Sequence, residues 1–179
     1  MQTFRRITLI AFGIIALLCL YAATKPDTFR VERSIDINAS AEALFPMIND
    51  LQNFTRWSPY AERDPAMKQT FSPVTSGKGA FYAWEGNKQV GSGRMEITQS
   101  LPLQQVTLQI DFFVPFEAHN TVFFTLAPVN NGTRASWAME GPMPFISKLM
   151  SIFFDFDGMV GNDFAAGLEK LKALVEKPV

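Results

Sequence analysis

The amino-acid sequence predicts an α+β domain in which a curved antiparallel sheet of six or seven strands wraps around one long C-terminal helix. Two features lead to this prediction. Between Gly79 and Gly141, short segments alternate apolar and polar residues and are separated by turn residues, which is typical of antiparallel strands. From Leu149 to Val175, apolar residues recur every three or four positions, which indicates an amphipathic helix. A sheet that curves onto one helix leaves room for a hollow between them.

A strand and two short helices precede the main run of strands. Phe29–Ile37 alternates apolar and polar residues and predicts a half-buried strand. Ala41–Ile48 predicts a helix, in which Pro46 should cause a kink or an early end because proline lacks a backbone donor. A second short helix is predicted over Asp50–Trp57. It should end before the Ser58-Pro59 pair, because a residue that precedes proline disfavours helical backbone.

The sheet is completed by six further strands, which hairpin turns connect. They are predicted at Met67–Phe71, Gly79–Glu85, Val90–Thr98, Gln105–Phe112, Glu117–Leu126 and Thr133–Gly141. Successive side chains of a strand point to opposite faces, so each segment has an inward row and an outward row. The inward rows are Tyr82 and Trp84; Gly93, Met95 and Ile97; Val106, Leu108, Ile110 and Phe112; Asn120, Val122, Phe124 and Leu126; and Ala135, Trp137 and Met139.

One helical stripe of some thirty residues follows the sheet. Its apolar positions are Leu149, Phe153, Phe156, Val160, Phe164, Leu168, Leu171 and Val175. Gly158, Gly161 and Gly167 interrupt the stripe and lower its helix propensity. We therefore expect a bend near Asp157–Gly161, or a close approach of the helix to the sheet.

The N-terminal segment Ile7–Ala23 is apolar and uncharged and follows the Arg5-Arg6 pair. Its length suits both a short transmembrane helix and a long signal-peptide core, so both remain open. We expect an uncleaved anchor over residues 1–24, because the best cleavage site, Leu20-Tyr21-Ala22, lacks a small residue at its first position.

The charges that flank this segment predict how the chain is oriented. The arginine pair favours a cytoplasmic N-terminus in the inner membrane. After a stiff linker of residues 25–28, the domain of residues 29–177 would then face the periplasm or the exterior.

The composition favours binding over chemistry. The chain has seventeen Phe but only one His and one Cys, so apolar surface is plentiful and reactive side chains are scarce. Without Arg5 and Arg6, the chain has 14 basic and 17 acidic residues. Nucleic acid is therefore not an expected partner. The sequence does not predict the oligomeric state.

Several segments carry a resemblance to a known family. They are Val31–Ala39, Ile48–Leu51, Trp57–Pro59, Tyr82–Asn87 and Gly132–Trp137. Together with the order of elements, they resemble the helix-grip fold of the START-like (SRPBCC) superfamily and its polyketide cyclase/dehydrase-like branch, over about Phe29 to Lys177. The resemblance implies a hydrophobic cavity between helix and sheet, with an entrance near the short helices and a strand turn. Members of the superfamily include lipid and sterol carriers, hormone receptors, aromatic-ring cyclases and co-chaperones.

Ten residues are predicted to contact a ligand in that cavity. Some are aromatic rings with one polar atom, some are deformable methionines, and Asn120 is an inward amide that needs a partner. They are Trp57, Tyr82, Trp84, Met95, Phe112, Asn120, Phe124, Trp137, Met139 and Phe153. Met150 and Met159 should add further deformable surface.

We expect a membrane-tethered domain that binds an apolar or amphipathic small molecule, such as a lipid, quinone or polyketide-like compound, without transforming it. No cofactor is expected. No metal site is expected either, because Asp155 and Asp157 are two residues apart on a predicted helix and their carboxylates diverge. The alternative is a cyclase or dehydratase in which Tyr82 or Asn120 orients an enol and His119 or a carboxylate moves the proton. Strand parity places His119 on the outward face. A third possibility, a chaperone-associated module, would need an apolar patch on the outer face of the sheet.

Overall fold

The computed structural model describes residues 2–176 as one seven-stranded antiparallel sheet with six helices. The helices are α1 (Gln2–Ala23), α2 (Ala41–Asn49), α3 (Leu51–Thr55), α4 (Pro59–Arg63), α5 (Phe145–Met150) and α6 (Phe156–Val175). The strands are β1 (Thr28–Ile37), β2 (Lys68–Phe71), β3 (Phe81–Glu85), β4 (Ser92–Leu101), β5 (Gln105–Val114), β6 (Ala118–Val129) and β7 (Gly132–Pro142). The predicted fold class is confirmed. Met1 and Lys177, at the outer limits of the predicted anchor and domain, lie outside the described residues.

The strands follow the order β1-β7-β6-β5-β4-β3-β2, so the first strand pairs with the last. Thr28 at the start of β1 lies opposite Pro142 at the end of β7, and Ile37 lies opposite Thr133. β1 therefore begins, and β5 and β7 end, at the same end of the sheet, next to α1. This end is called the α1 end below.

Strand parity is confirmed for the main strands. The inner face of the sheet, defined as the face that α6 covers, carries the predicted inward rows, most of which are buried. The buried side chains of α6, Phe164, Leu168 and Leu171, pack against this face in one continuous hydrophobic core. The amphipathic stripe of α6 thus has the role that its spacing predicts.

The C-terminal stripe is not one helix. α5 ends at Met150 and α6 begins at Phe156, so the interruption precedes the bend expected near Asp157–Gly161. Ser151 Oγ donates to the carbonyl of Lys148 at 2.8 Å, which competes with helix continuation. Asp155 then caps α6, because its carboxylate accepts a hydrogen bond from the Gly158 backbone at 2.9 Å.

The short helices also depart from the prediction. α2 continues through Pro46 to Asn49 and does not end early. The predicted second helix is shortened to α3, and an additional helix, α4, begins at Pro59. Proline is well suited to a first helical position because its missing donor is not needed there. The Ser58-Pro59 pair that was interpreted as a stop is therefore also a helix start.

Residues Thr3–Ala23 of α1 form a helix that is long and apolar enough to cross a membrane, a property that a signal sequence shares. The apolar side chains along its length are largely exposed. At its C-terminal end, however, Ala22 is fully buried, and the linker is bound to α5: Lys25 Nζ donates to Ser151 Oγ at 2.8 Å, and Lys148 Nζ donates to Asp27 Oδ1 at 2.5 Å.

Candidate functional site

The structure brings nine of the ten predicted residues to the inside of the domain. Eight lie on the inner face of the sheet, and Trp57 follows α3 and is fully buried beneath it. The inner face has two halves that differ in packing. The half nearer α1 contains Tyr82, Trp84, Met95, Phe112 and Asn120. The other, called the far half, contains Phe124 and Trp137. Met139 lies between the two halves.

A cross-strand row runs through the α1 half. Tyr82, Met95, Ile110 and Asn120 are register partners on four successive strands, β3 to β6. Strands lie about 4.8 Å apart, so the row spans about 14 Å from Tyr82 to Asn120. This is the length of a small amphipathic molecule.

Trp84 and Phe112 form the next row toward the α1 end. Their rings meet edge to face with centroids 5.9 Å apart. Gly93 lies between them in register, and a Cβ at that position would come within 2.5 Å of the Trp84 ring. The glycine therefore allows the indole to lie flat across β4.

The far half is filled with packed rings. Trp57 contacts Phe124 at 5.7 Å and Trp137 at 5.5 Å between ring centroids, and Phe164 of α6 stacks on Trp137 at 4.2 Å. Gly167 allows this close approach, because a Cβ there would lie 2.7 Å from the Trp137 ring. The expected hollow between α6, Phe124 and Trp137 is therefore wrong for this half, which is a solid aromatic core.

Residual solvent exposure marks the α1 half as the looser one. Tyr82, Trp84, Ile110 and Asn120 keep between 4% and 8% of their surface exposed, and Met95 and Phe112 are only partly buried. In the far half, Phe124 and Trp137 keep 3% each and Trp57 keeps 0%, although Leu126 keeps 7%. The partly buried Met95 and Phe112 therefore mark the α1 half as the more open part of the inner face.

Among the described residues, three interior polar groups lack an oxygen or nitrogen partner. Tyr82 Oη has only the Met67 sulfur, at 4.0 Å, and Asn120 Nδ2 has only the Met139 sulfur, at 3.8 Å. Trp137 Nε1 is buried and has no hydrogen-bond partner among the described residues. Thioether sulfur is a weak acceptor, so these groups keep most of their hydrogen-bonding capacity.

The other two tryptophans are satisfied within the protein. Trp57 Nε1 donates to the carbonyl of Met47 at 2.9 Å, and Trp84 Nε1 donates to the carbonyl of Val90 at 3.1 Å. The unsatisfied groups are thus a feature of particular positions rather than of buried aromatic residues in general.

Burial also perturbs the acidity of the interior phenols. Desolvation raises the pKa of Tyr82 to about 12. The pKa of Tyr60 is raised further, by burial and then by the nearby Asp163 carboxylate. Both phenols stay protonated near neutral pH and act as hydrogen-bond donors rather than bases.

Phe153 is the predicted contact that the structure removes from the interior. It lies in the turn between α5 and α6, and 66% of its surface is exposed. The prediction that it faces the cavity is wrong because the helix it was assigned to is interrupted there. Met150 and Met159 are also exposed. Met95 and Met139 remain on the inner face.

The candidate acid-base and metal residues lie elsewhere. His119 is on the outer face, as predicted, with its Nδ1 2.7 Å from Asp111 Oδ1. This hydrogen bond raises the pKa of the imidazole. Asp157 pairs with Arg33 and Asp163 with Arg63, while Asp155 caps α6. Each aspartate therefore has a structural partner.

Two surface concavities border the sheet in the described part of the chain. One lies between α6 and the β1 edge of the sheet and is lined by Ser34, Ile35, Asp36, Arg134, Glu169 and Lys172. The other, of about 250 Å³, lies at the ends of β2 to β5 nearest α1, and Trp84 and Gly93 line it together with Lys68, Glu85 and Phe113. Tyr82, Met95 and Asn120 line neither concavity, so a ligand would reach the row between them by displacing side chains.

The sequence did not identify two interior residues. Met67 supplies the sulfur against the Tyr82 hydroxyl at one end of the row, and Tyr60 of α4 lies against the core. Asp64, which follows α4, accepts a hydrogen bond from the Asn87 backbone in the β3–β4 turn at 2.7 Å. Pro59, interpreted as a helix start, would have indicated α4. The contact between the end of α4 and the β3–β4 turn is a tertiary feature, so the sequence gives no local signal for it.

Comparison with known proteins supports the resemblance. A family model described as polyketide cyclase/dehydrase and lipid transport matches residues 28–176. No curated protein matches the chain. Among solved structures, protein CV1439 from Chromobacterium violaceum has a TM-score of 0.59 at 16% identity, covering 86% of this chain and 100% of that one.

Two further solved structures share the fold. The Aha1 dimer from Colwellia psychrerythraea has a TM-score of 0.59 at 18% identity over 83% of this chain and 96% of that one. The di-domain ARO/CYC StfQ of the steffimycin biosynthetic pathway has a TM-score of 0.59 at 11% identity over 83% of this chain and 51% of that one. At these identities the likeness concerns the fold alone.

Proposed function

We propose that this chain, which belongs to the polyketide cyclase/dehydrase and lipid-transport family, binds an apolar or amphipathic small molecule between the sheet and α6 while α1 holds it at a membrane. The ligand class is a lipid, quinone or polyketide-like compound that carries hydrogen-bond acceptors. The extended row from Tyr82 to Asn120 is the binding surface.

The observation that carries this proposal is the pair of interior donors without strong acceptors at Tyr82 and Asn120, the two ends of the row. A buried polar group without a partner costs about 1–3 kcal/mol. A ligand oxygen placed against one of these donors would remove that cost. Apolar surface of the ligand would add about 25 cal/mol for each Å² removed from water, before the costs of ordering.

The methionines explain how a closed site could admit such a molecule. Met95 and Met139 lie in or beside the row, and Met67 covers the Tyr82 hydroxyl. Methionine has three rotatable bonds and a polarisable sulfur, so it adapts to different shapes at small cost. The sulfur contacts to Tyr82 and Asn120 are weak, and a ligand oxygen would replace them readily.

Binding without chemistry fits the site better than the cyclase or dehydratase alternative. A general acid or base works best when its pKa lies near the working pH. The polar groups of the row are a phenol with a pKa of about 12 and an amide. His119 is on the opposite face of the sheet. These groups can orient a carbonyl or hydroxyl group, but they do not exchange protons near neutral pH.

The test is native mass spectrometry of the full chain, extracted from membranes in mild detergent, together with analysis of its organic extract. We expect a retained small molecule of a defined mass. Tyr82→Phe and Asn120→Leu should each reduce its retention about tenfold, which corresponds to about 1.4 kcal/mol. Thr125→Val, on the outward face of β6, is the matched control and should leave retention unchanged. Ligand-free protein in both measurements would refute the proposal.

A further inference from the structure

An exposed apolar surface lies at the α1 end of the domain, outside the interior site. Six large apolar side chains in two segments are between 54% and 77% exposed. We call them the apolar rim, and they are Phe113, Val114, Phe116, Ile146, Phe153 and Phe154. A cluster of exposed rings of this kind marks an interaction surface in a soluble domain.

Sheet register brings the two segments to one end of the molecule. Phe112 pairs with Ala118, so the last residues of β5, Phe113 and Val114, and the turn of residues 115–117 extend past the start of β6 at the α1 end. β7 ends opposite the first residue of β1, and α5 follows directly. Both parts of the apolar rim therefore lie beside the point at which α1 joins the domain.

The linker between α1 and β1 holds the end of α1 in a fixed position next to α5. Lys25 Nζ donates to the carbonyl and hydroxyl oxygens of Ser151 at 3.2 and 2.8 Å. Met143 N donates to the Asp27 carbonyl at 2.7 Å, and Lys148 pairs with Asp27. Together with the complete burial of Ala22, these contacts hold α5 against the end of α1. A bilayer that contained α1 would reach α5.

Charge and residue type favour a bilayer as the occupant. The most exposed charged side chains near the rim are the acidic Asp27 and Glu117, which pair with Lys148 and His119, and Lys25 is bonded to Ser151. No unpaired cluster of cations is present there among the described residues, so contact with a membrane would depend on insertion of apolar side chains and not on attraction to anionic headgroups. Tyr21, with the Lys25 ammonium 5.5 Å from its ring centre, is the aromatic-cation pair expected at a membrane interface. Exposed apolar side chains also lie on both of the helices that meet here, at Leu20 and Tyr21 of α1 and at Phe145 and Ile146 of α5.

We infer that the apolar rim inserts into the interfacial layer of the membrane that α1 spans and holds the α1 half of the interior site against the bilayer. This inference rests on the proposed membrane anchor. Trp84 and Phe112 lie at the same end of the sheet as the rim. An apolar ligand would pass between bilayer and site without crossing water.

Site-specific fluorescence in vesicles tests the inference. Cys19 is the chain's one cysteine, so a Cys19→Ala background allows single labels at Phe116→Cys and Phe153→Cys. Gln104→Cys, exposed at the opposite end of the sheet, is the control. An environment-sensitive bimane label on the full chain would be measured in phosphatidylcholine vesicles that contain nitroxide-labelled lipid.

We expect the lipid nitroxide to quench the labels at 116 and 153 at least threefold more than the label at 104, with aqueous iodide showing the reverse order. Equal quenching in pure phosphatidylcholine and in vesicles with anionic lipid is also expected. Equal lipid quenching at all three sites, shielding from both quenchers as in contact between two protein copies, or quenching that requires anionic lipid would overturn the inference. The quenching measurement does not depend on ligand retention. The rim can therefore be found in the membrane when no ligand is retained, and a ligand can be retained when the rim is not in the membrane.

Discussion

Asn120→Leu should make the domain more stable and less able to hold its ligand. The Asn120 amide is buried, its Nδ2 has only the Met139 sulfur at 3.8 Å, and its Oδ1 lies against Gly141. Leucine has the same branching at Cγ as asparagine, so its two methyl groups would occupy the positions of the amide oxygen and nitrogen. The substitution removes a desolvated polar group without creating a cavity.

The expected magnitude follows from the environment of the amide. A buried amide without a good partner costs about 1–3 kcal/mol, and the weak sulfur contact recovers little of this. We expect the free energy of unfolding to rise by about 1–2 kcal/mol. For a domain of this size, each kcal/mol corresponds to about 2–4 °C in Tm.

The assay is urea unfolding of the detergent-solubilised full chain, followed by the fluorescence of its three buried tryptophans. The midpoint should rise while the slope stays constant, which indicates a change in stability alone. Asn120→Ala is the control for volume, and it should be about 2–5 kcal/mol less stable than Asn120→Leu because it leaves a cavity. Destabilisation of the leucine variant by more than about 1 kcal/mol would mean that the amide is well satisfied in the free protein, and the argument for a ligand acceptor would be lost.

Two further predictions concern packing and charge. Gly167→Ala should destabilise the domain by about 1–2 kcal/mol in the same assay, because its Cβ would meet the buried Trp137 ring. Gly161→Ala would instead shift the guanidinium of Arg33 from its partly exposed pairing with Asp157. It should cost less than about 1 kcal/mol, because such a pair contributes about 0–1 kcal/mol and alanine favours the helix. Equal effects would contradict the packing account. Asp111→Asn should lower the pKa of His119, the chain's one imidazole, in a proton NMR titration of tag-free protein, and an unchanged pKa would exclude the pair. Because the pKa is raised in the folded state, any stability from this pair is complete below about pH 6.5 and is lost as the pH rises through the raised value.

The sequence predicts which face each strand residue occupies, because the side-chain period of a strand is two and one face is polar. That is why Tyr82, Trp84, Asn120 and Trp137 were placed on the inner face correctly. Parity contains no information on the distance from that face to the helix. This distance is set by Gly167 and by the stacking of Phe164 on Trp137, so the filling of the far half could not be predicted.

The break between α5 and α6 shows a second limit. Apolar spacing continues from Leu149 through Phe153 to Phe156, and spacing alone predicts one helix. The turn depends instead on Ser151, whose carbonyl and hydroxyl oxygens accept from Lys25, 126 residues away in the sequence. A contact of such long range leaves no local signal, and it moves Phe153 from the expected interior to the surface.

The division of the inner face explains how a domain can be stable and still keep a binding site. Fully burying a large apolar side chain contributes about 1.5–3 kcal/mol, and the far half buries Trp57, Phe124 and Trp137 within one ring cluster. The fold therefore does not depend on close packing in the α1 half. Poorly satisfied groups such as Tyr82 and Asn120 can be retained there, at a cost of a few kcal/mol that the aromatic core offsets. Since the loose half faces the end from which α1 leaves, the part of the domain that opens at least cost is also the part nearest to the membrane.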